Sequence, residues 1–266
     1  MAFQLITAEN GVKYLKSDIL SVKHGFATRI GGVSSEAHTA TLNLAFGRGD
    51  ERETVMENLQ LFSDALGVAP ESVISRHQIH SPKVVYADEK MRGEGYFIDT
   101  DEACDGYVTD REGVALGVKT ADCVPILFED KAAHVIGAVH AGWRGTASGI
   151  AAECVRKMCE LGAEVENIRA AIGAAIHFCC YEVGEDFYRS VAELVGEDTA
   201  REFIREHNGH LHADIVGMNR KLLLDAGLCD NNIDICEYCT ACEPELFYSH
   251  RYSHGLRGTM LSVISL

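Results

Sequence analysis

Five strand-like apolar runs crowd residues 83–140, at 83–87, 106–109, 114–119, 124–128 and 135–140, and turn-forming Asp, Glu and Gly residues separate them. A parallel crossover needs a dozen or more connecting residues, usually a helix, and there is no room for one between each pair. Antiparallel or mixed pairing must therefore dominate this block. Helical periodicity surrounds it. Residues 51–66 place Val55, Leu59, Leu61, Phe62 and Leu66 along one stripe behind a charged start, and helices are expected over 146–161, 185–194, 200–206 and 214–226. Residues 1–28 read as short strands around turns, IRAAIGAAI as a strand leading into a loop, and the closing SVISL as a last strand. The expectation is an α/β (α+β) layered fold, with a central mixed sheet flanked by helices. With 47% hydrophobic residues, four prolines and no Ser/Gly/Pro-rich linker, residues 1–266 are read as a single domain.

Charge narrows the partners. Forty acidic against 24 basic residues give a formal net charge of −16, and no Lys/Arg run relieves it, which argues against nucleic acid. A small anion is a different matter, since a pocket needs only a few placed arginines such as Arg29, Arg76 and Arg144. The N-terminus lacks a basic segment followed by an apolar stretch, and nowhere do 18 uncharged apolar residues run together, so a cytoplasmic protein without membrane attachment is expected. In that setting the ten cysteines read as thiols or ligands rather than a disulfide framework. Nothing in the sequence marks an obligate protein partner.

Two of the apolar runs border chemically capable residues. Cys123 lies in KTADCVPILF and His140 in HVIGAVHAGWRG, while His80 in HQIHS precedes another run. Imidazole nitrogen and thiolate sulfur suit zinc, and three protein ligands leave one position open, as catalytic zinc requires. Zinc in such a site lowers the pKa of a water to roughly 7, which makes hydrolysis or deamination feasible. Cys123 with His140 as base is a metal-free alternative, and each residue also has an ordinary reading as a packed thiol or histidine. Asp105 and Asp122 are proton-shuttle candidates that equally suit turns. In HAGWRG, Gly142 and Gly145 permit close backbone approach and Arg144 offers paired donors to a phosphate or carboxylate. A helix starting at TASGI would add its free N–H groups to that anion site, whereas an ordinary turn would simply pack Trp143.

The CxxCxxC run at Cys236, Cys239 and Cys242 has zinc or iron–sulfur spacing but no clear fourth partner, although His250 or His254 lies nearby. Buried thiols are the preferred reading there, and packed thiols for Cys179 and Cys180. The only HxH pair, His210 and His212, sits in a polar stretch read as a solvated loop able to pick up copper adventitiously.

Six ordered motifs, HGFATRIGGVS, HQIHS, KTADCVPILF, HAGWRGTASGI, CCYEVG and CTACEPELFYSHR, together resemble the YfiH-type family over nearly the whole chain. That family is also labelled multicopper polyphenol oxidoreductase or laccase, and purine nucleoside phosphorylase. The resemblance implies zinc ligands at His80, Cys123 and His140, with copper as a second possible metal. It also implies phosphorolysis of adenosine, inosine and 5′-methylthioadenosine, together with adenosine deamination. Arg29, Gln78, Asp122 and Arg144 are the expected substrate-binding residues, for a purine nucleoside and phosphate. Alternatives carried by the same resemblance are an amidase that removes misincorporated serine from a peptidoglycan precursor, and a copper-dependent polyphenol oxidase. A non-catalytic metal-binding protein is a further one. Where many members read IGPAIGPCCYEVG, this chain has His177 and Phe178, and HQIHS and LNLAFGRGD also depart from the common pattern.

Overall fold

The computed structural model describes residues 3–266. In chain order its strands are β1 (Phe3–Thr7), β2 (Lys13–Ser17), β3 (Lys23–Ala27), β4 (Val73–Ile74), β5 (Val84–Tyr86), β6 (Gly106–Thr109), β7 (Ala115–Thr120), β8 (Val124–Asp130), β9 (Val135–Ala141), β10 (Arg169–Ile172), β11 (Glu182–Val183), β12 (Ile204–His207), β13 (His210–Ala213), β14 (Ile233–Ile235) and β15 (Met260–Ser265). The α-helices are α1 (Arg52–Leu66), α2 (Trp143–Ala147), α3 (Ile150–Glu160), α4 (Glu185–Val195), α5 (Glu197–Phe203) and α6 (Ile215–Asp225).

The layered, mixed α/β architecture expected from the sequence is present, with its strands shared among three sheets. One six-stranded sheet runs β1-β2-β3-β15-β7-β4, a second runs β14-β10-β8-β9-β6-β5, and β11-β13-β12 form a small third. β8 and β9 pair antiparallel from Val124↔Ala141 to Asp130↔Val135. All their residues are buried, which is why both read as unbroken apolar runs rather than alternating ones. The two charges at the end of β8 are satisfied: Glu129 accepts from the Ser21 N–H and hydroxyl, and Asp130 from the N–H groups of Ala132, Ala133 and Glu164.

α1 buries Val55, Leu59 and Phe62, each contributing about 1.5–3 kcal/mol by leaving water, and stops at Gly67, whose φ of 67° suits a residue without Cβ. Two expected helices end differently. Gly149, at φ 81°, divides the 146–161 span, so TASGI is not a helix start: it contains the end of α2 and the break before α3. Residues 204–206 leave the helix for β12, which returns as β13 through Asn208 and Gly209, both at positive φ. His210 and His212 therefore lie on a paired strand, not in a solvated loop, and His212 is buried with Nδ1 2.7 Å from the Phe178 carbonyl oxygen.

Candidate active site

The chain crosses from the first six-stranded sheet to the second between β7 and β8, and Cys123 sits on that crossing. His140 is the penultimate residue of β9, one strand over from β8. His80 arrives on the loop before β5, at φ 60°. The ligand atoms of the three residues lie within 4.8 Å of one another, with Cys123 Sγ 3.9 Å from His80 Nε2 and the two rings edge-to-face at 4.8 Å.

Asp105, just before β6 and fully buried, organises this cluster. Its Oδ1 accepts from His140 Nδ1 at 2.8 Å and from the His80 backbone N–H at 2.9 Å. Its Oδ2 accepts from the N–H groups of Ile79 and Ser81 and from the Ser81 hydroxyl. One carboxylate thus shapes the turn that presents His80 and orients the ring of His140, leaving Nε2 of that ring to face the site. Burial works against the Asp105 charge, yet the hydrogen bonds from His140 and Ser81 outweigh it and hold the carboxyl at about 2. Burial likewise pushes the Cys123 thiol up, but His140 and then His80 bring it down to about 6. His140 moves the other way: burial lowers it, and the Cys123 and Asp105 charges raise it to about 9. The two shifts share a cause, since each group favours charge on the other; with the Nε2 proton released, the pair offers a thiolate and a neutral imidazole to a cation.

Gly142 is required by this packing. A Cβ there would stand 2.6 Å from His80 Cδ2, 3.4 Å from Cys123 Sγ and 3.5 Å from His140 Cε1. The backbone that starts α2 is pressed against all three side chains. Two imidazoles and one thiolate, with Asp105 fixing the His140 ring and the turn that carries His80, form a donor set that fits zinc.

Two cavities meet at the cluster, and His80, Ala121, Cys123 and Arg257 line both. The smaller, about 270 Å³, is basic, with Arg48, Lys119 and Arg257 on its wall. Arg76 also lines it, but is paired with Glu94 at 2.5 Å. Lys119 reaches the Ser75 carbonyl at 3.0 Å and lies over the Tyr96 ring, and burial lowers its ammonium to about 8. Arg257 keeps a buried Nε without a partner, and burial, then the nearby Arg48 charge, pull it down to about 10. The larger cavity, about 660 Å³, is bounded by Trp143, Ile176, Tyr181 and Ile215, with Arg144, Arg251 and His250 at its polar margin.

The expected substrate residues divide. Gln78 lines the basic cavity, but its amide is committed at both ends to the Lys119 backbone, 2.7 Å each way. Asp122 lines the larger one, accepting from the Thr240 hydroxyl and the Arg251 N–H, each at 2.7 Å. Arg144 lies over the Trp143 ring at the same cavity. Arg29 reaches neither: its guanidinium donates to the carbonyls of Ala40 and Pro244 and covers the Tyr248 ring, bracing two loops instead of holding an anion. His177 and Phe178 are likewise off the cavity walls, although Ile176 and Tyr181 beside them are on the larger one. Lys119 and Arg257 were not singled out by sequence reasoning; the lysine at the head of KTADC, four residues before the thiol, was the available signal.

Residues 23–266 match the family described as multi-copper polyphenol oxidoreductase laccase. A purine nucleoside phosphorylase of Deinococcus radiodurans is 39% identical over 257 residues, covering 96% of this chain and 94% of that protein. A protein named adenosine deaminase RL5, from an unknown prokaryotic organism, is 34% identical over 230 residues, covering 85% of this chain and 87% of its own length. The crystal structure of the YfiH protein of Bacillus licheniformis superposes with a TM-score of 0.86 at 32% identity, covering 100% of this chain and 96% of that one. No helix among the described residues is long and apolar enough to cross a membrane.

Proposed function

We propose, from the premise that this chain belongs to the multi-copper polyphenol oxidoreductase laccase family, that it is a zinc-dependent purine nucleoside phosphorylase. It would act on adenosine, inosine and 5′-methylthioadenosine, with adenosine deamination as a second activity. The names of its relatives support nucleoside processing. The observation that carries the reading is the meeting of two unlike cavities at His80 and Cys123, one basic and also lined by His140, the other walled by aromatic and aliphatic side chains.

Lys119, Arg48 and Arg257 give the smaller cavity the charge to hold phosphate, and the unpartnered Arg257 Nε is a donor in need of an acceptor. Tyr181, Trp143 and Ile176 offer the larger cavity flat apolar surface for a purine, while Arg144 and Arg251 stand at its edge. A nucleoside lying across the junction turns its ribose toward the phosphate. In phosphorolysis a phosphate oxygen bonds to C1′ as the glycosidic bond breaks, its electron pair leaving with the base, which takes up a proton. His80, Cys123 and His140 would hold the zinc, which when bound would supply Lewis acidity at the junction.

The reading is tested by chromatography of products from adenosine, with and without phosphate. Adenine with ribose 1-phosphate, formed only when phosphate is present, is the expected result. Inosine formed without phosphate reports the deamination, and neither product from metal-loaded protein overturns the assignment.

A further inference from the structure

A second group of soft ligands lies behind the wall of the larger cavity. Cys179 and Cys180 sit on the turn that follows His177, whose carbonyl accepts from the N–H groups of Cys180 and Tyr181 at 3.0 Å each. Cys239 and Cys242 sit on a matching turn, where the Cys239 carbonyl accepts from Cys242 and Glu243 at 3.1 Å each. A parallel bridge between Ala175 and Cys239, with the Thr240 N–H on the Ala175 carbonyl at 2.9 Å, locks the two turns side by side. All four sulfurs fall within 4.8 Å of one another. Cys236, the remaining member of the CxxCxxC run, is buried and outside the group.

We infer that Cys179, Cys180, Cys239 and Cys242 form a second metal site, a closed tetrathiolate that binds zinc in a structural role. The spacing carries this. Four sulfurs at about 2.3 Å from a central zinc lie about 3.8 Å apart along the edges of a tetrahedron. Cys242 Sγ is 3.6 Å from Cys179 Sγ and 3.3 Å from Cys180 Sγ. One sulfur near two others suits a shared cation; a disulfide would use one neighbour and leave the other. The His177 backbone N–H points at Cys239 Sγ from 3.4 Å, the kind of donor that stabilises negative charge on a ligating sulfur. Four protein ligands close the shell, in contrast to the three at His80, Cys123 and His140, and leave no position for substrate. The sequence separates the halves by about sixty residues, so CEYCTAC looks incomplete until the fold supplies Cys179 and Cys180.

Binding replaces the protons of the four thiols, which pass to solvent, with one Zn²⁺, leaving a net charge of −2 on the cluster. The consequence is a cross-link. The segment carrying Cys179 and Cys180 includes Ile176 and Tyr181 of the cavity wall, and Thr240, between Cys239 and Cys242, donates its hydroxyl to Asp122. Metal here would hold that wall without touching substrate.

The test is metal analysis of the full-length protein purified without chelator under reducing conditions. Two zinc ions per chain are expected, falling to one in Cys179→Ser/Cys242→Ser. They should also fall to one in Cys123→Ala/His140→Ala, which removes the first site. Cobalt substituted into this last variant should give the intense sulfur-to-cobalt charge-transfer absorption of four thiolates in a tetrahedral field. If that variant, folded by circular dichroism, carries no zinc and its cobalt form lacks those bands, the second site does not exist. Finding the four cysteines oxidised in pairs in the anaerobically purified protein would overturn it as well. Neither readout depends on nucleoside turnover, so failure here leaves the proposed reaction standing, and failure of that reaction leaves this site standing.

Discussion

Asp105 accepts the Nδ1–H of His140 across 2.8 Å while receiving the backbone N–H of His80 on the same oxygen. The two histidines, sixty residues apart in sequence, are set by one buried carboxylate. Replacing Asp105 by Asn keeps the size but removes the charge and turns one acceptor into a donor facing N–H groups. Zinc affinity is expected to fall about 10–100-fold, the usual cost of losing such a partner. Competition with a chromophoric chelator measures it, and parent-like affinity would mean the carboxylate only shapes the turn.

Cys123→Ala is expected to abolish both zinc at the His80 cluster and turnover. Because the thiol serves either as a ligand or as a nucleophile, the metal count separates the two: full zinc retention with no turnover would favour the nucleophile. Chelation of the parent protein should give the same loss, restored by added zinc.

Gly142→Ala places a methyl group 2.6 Å from His80 Cδ2. The loss of stability should be about 1–3 kcal/mol, as for other overpacked sites. Turnover should suffer more, by roughly 100-fold, since a displacement near 1 Å at a reacting centre has that effect. Thermal melts beside kcat measurements check this, and an unchanged kcat would show that the His80 ring can move aside harmlessly.

Lys119→Met should raise the KM for phosphate about 10–100-fold, the equivalent of roughly 1.5–3 kcal/mol for a charged hydrogen bond. Phosphate-independent deamination should change little. Equal damage to both activities would remove Lys119 from the phosphate site.

The same lysine gives a signed pH dependence. Burial lowers its folded pKa to about 8 from the ordinary 10.5, so between those values the unfolded chain binds the proton more tightly. Its contribution to stability is complete above 10.5 and is lost as pH falls through 8. The parent should therefore gain stability relative to Lys119→Met as pH rises from 8 toward 10.5. Denaturant melts of the two proteins across that range give the difference, and parallel curves would contradict the shift.

The clustering of His80, Cys123 and His140 was legible because each borders an apolar run, and the ends of buried strands are where a polar side chain can reach a cavity while its neighbours hold it still. Arg29 looked equally suitable as an anion donor, yet its partners are the carbonyls of Ala40 and Pro244, and no local pattern announces a backbone acceptor 215 positions away. Lys119 and Arg257 escaped notice for the complementary reason: a single cation carries no periodicity, and only burial makes it informative. The β12–β13 hairpin could have been found, since Asn208-Gly209 is a strong turn signal, but the helical spacing from Ala200 onward competed with it. Division of the strands between two six-stranded sheets rests on β15 pairing with β3 and β7, a long-range choice that spacing cannot encode.

Cys123 stands where the chain passes from one sheet to the other, opposite a histidine rooted in the second sheet and another on an incoming loop. No half of the molecule can assemble that trio alone. Affinity for a cation held there would thereby gauge how the two sheets are seated: a slip of either against the other, from a distant core substitution or a partly folded chain, should surface first as weakened metal retention, before any loss of helix or strand content.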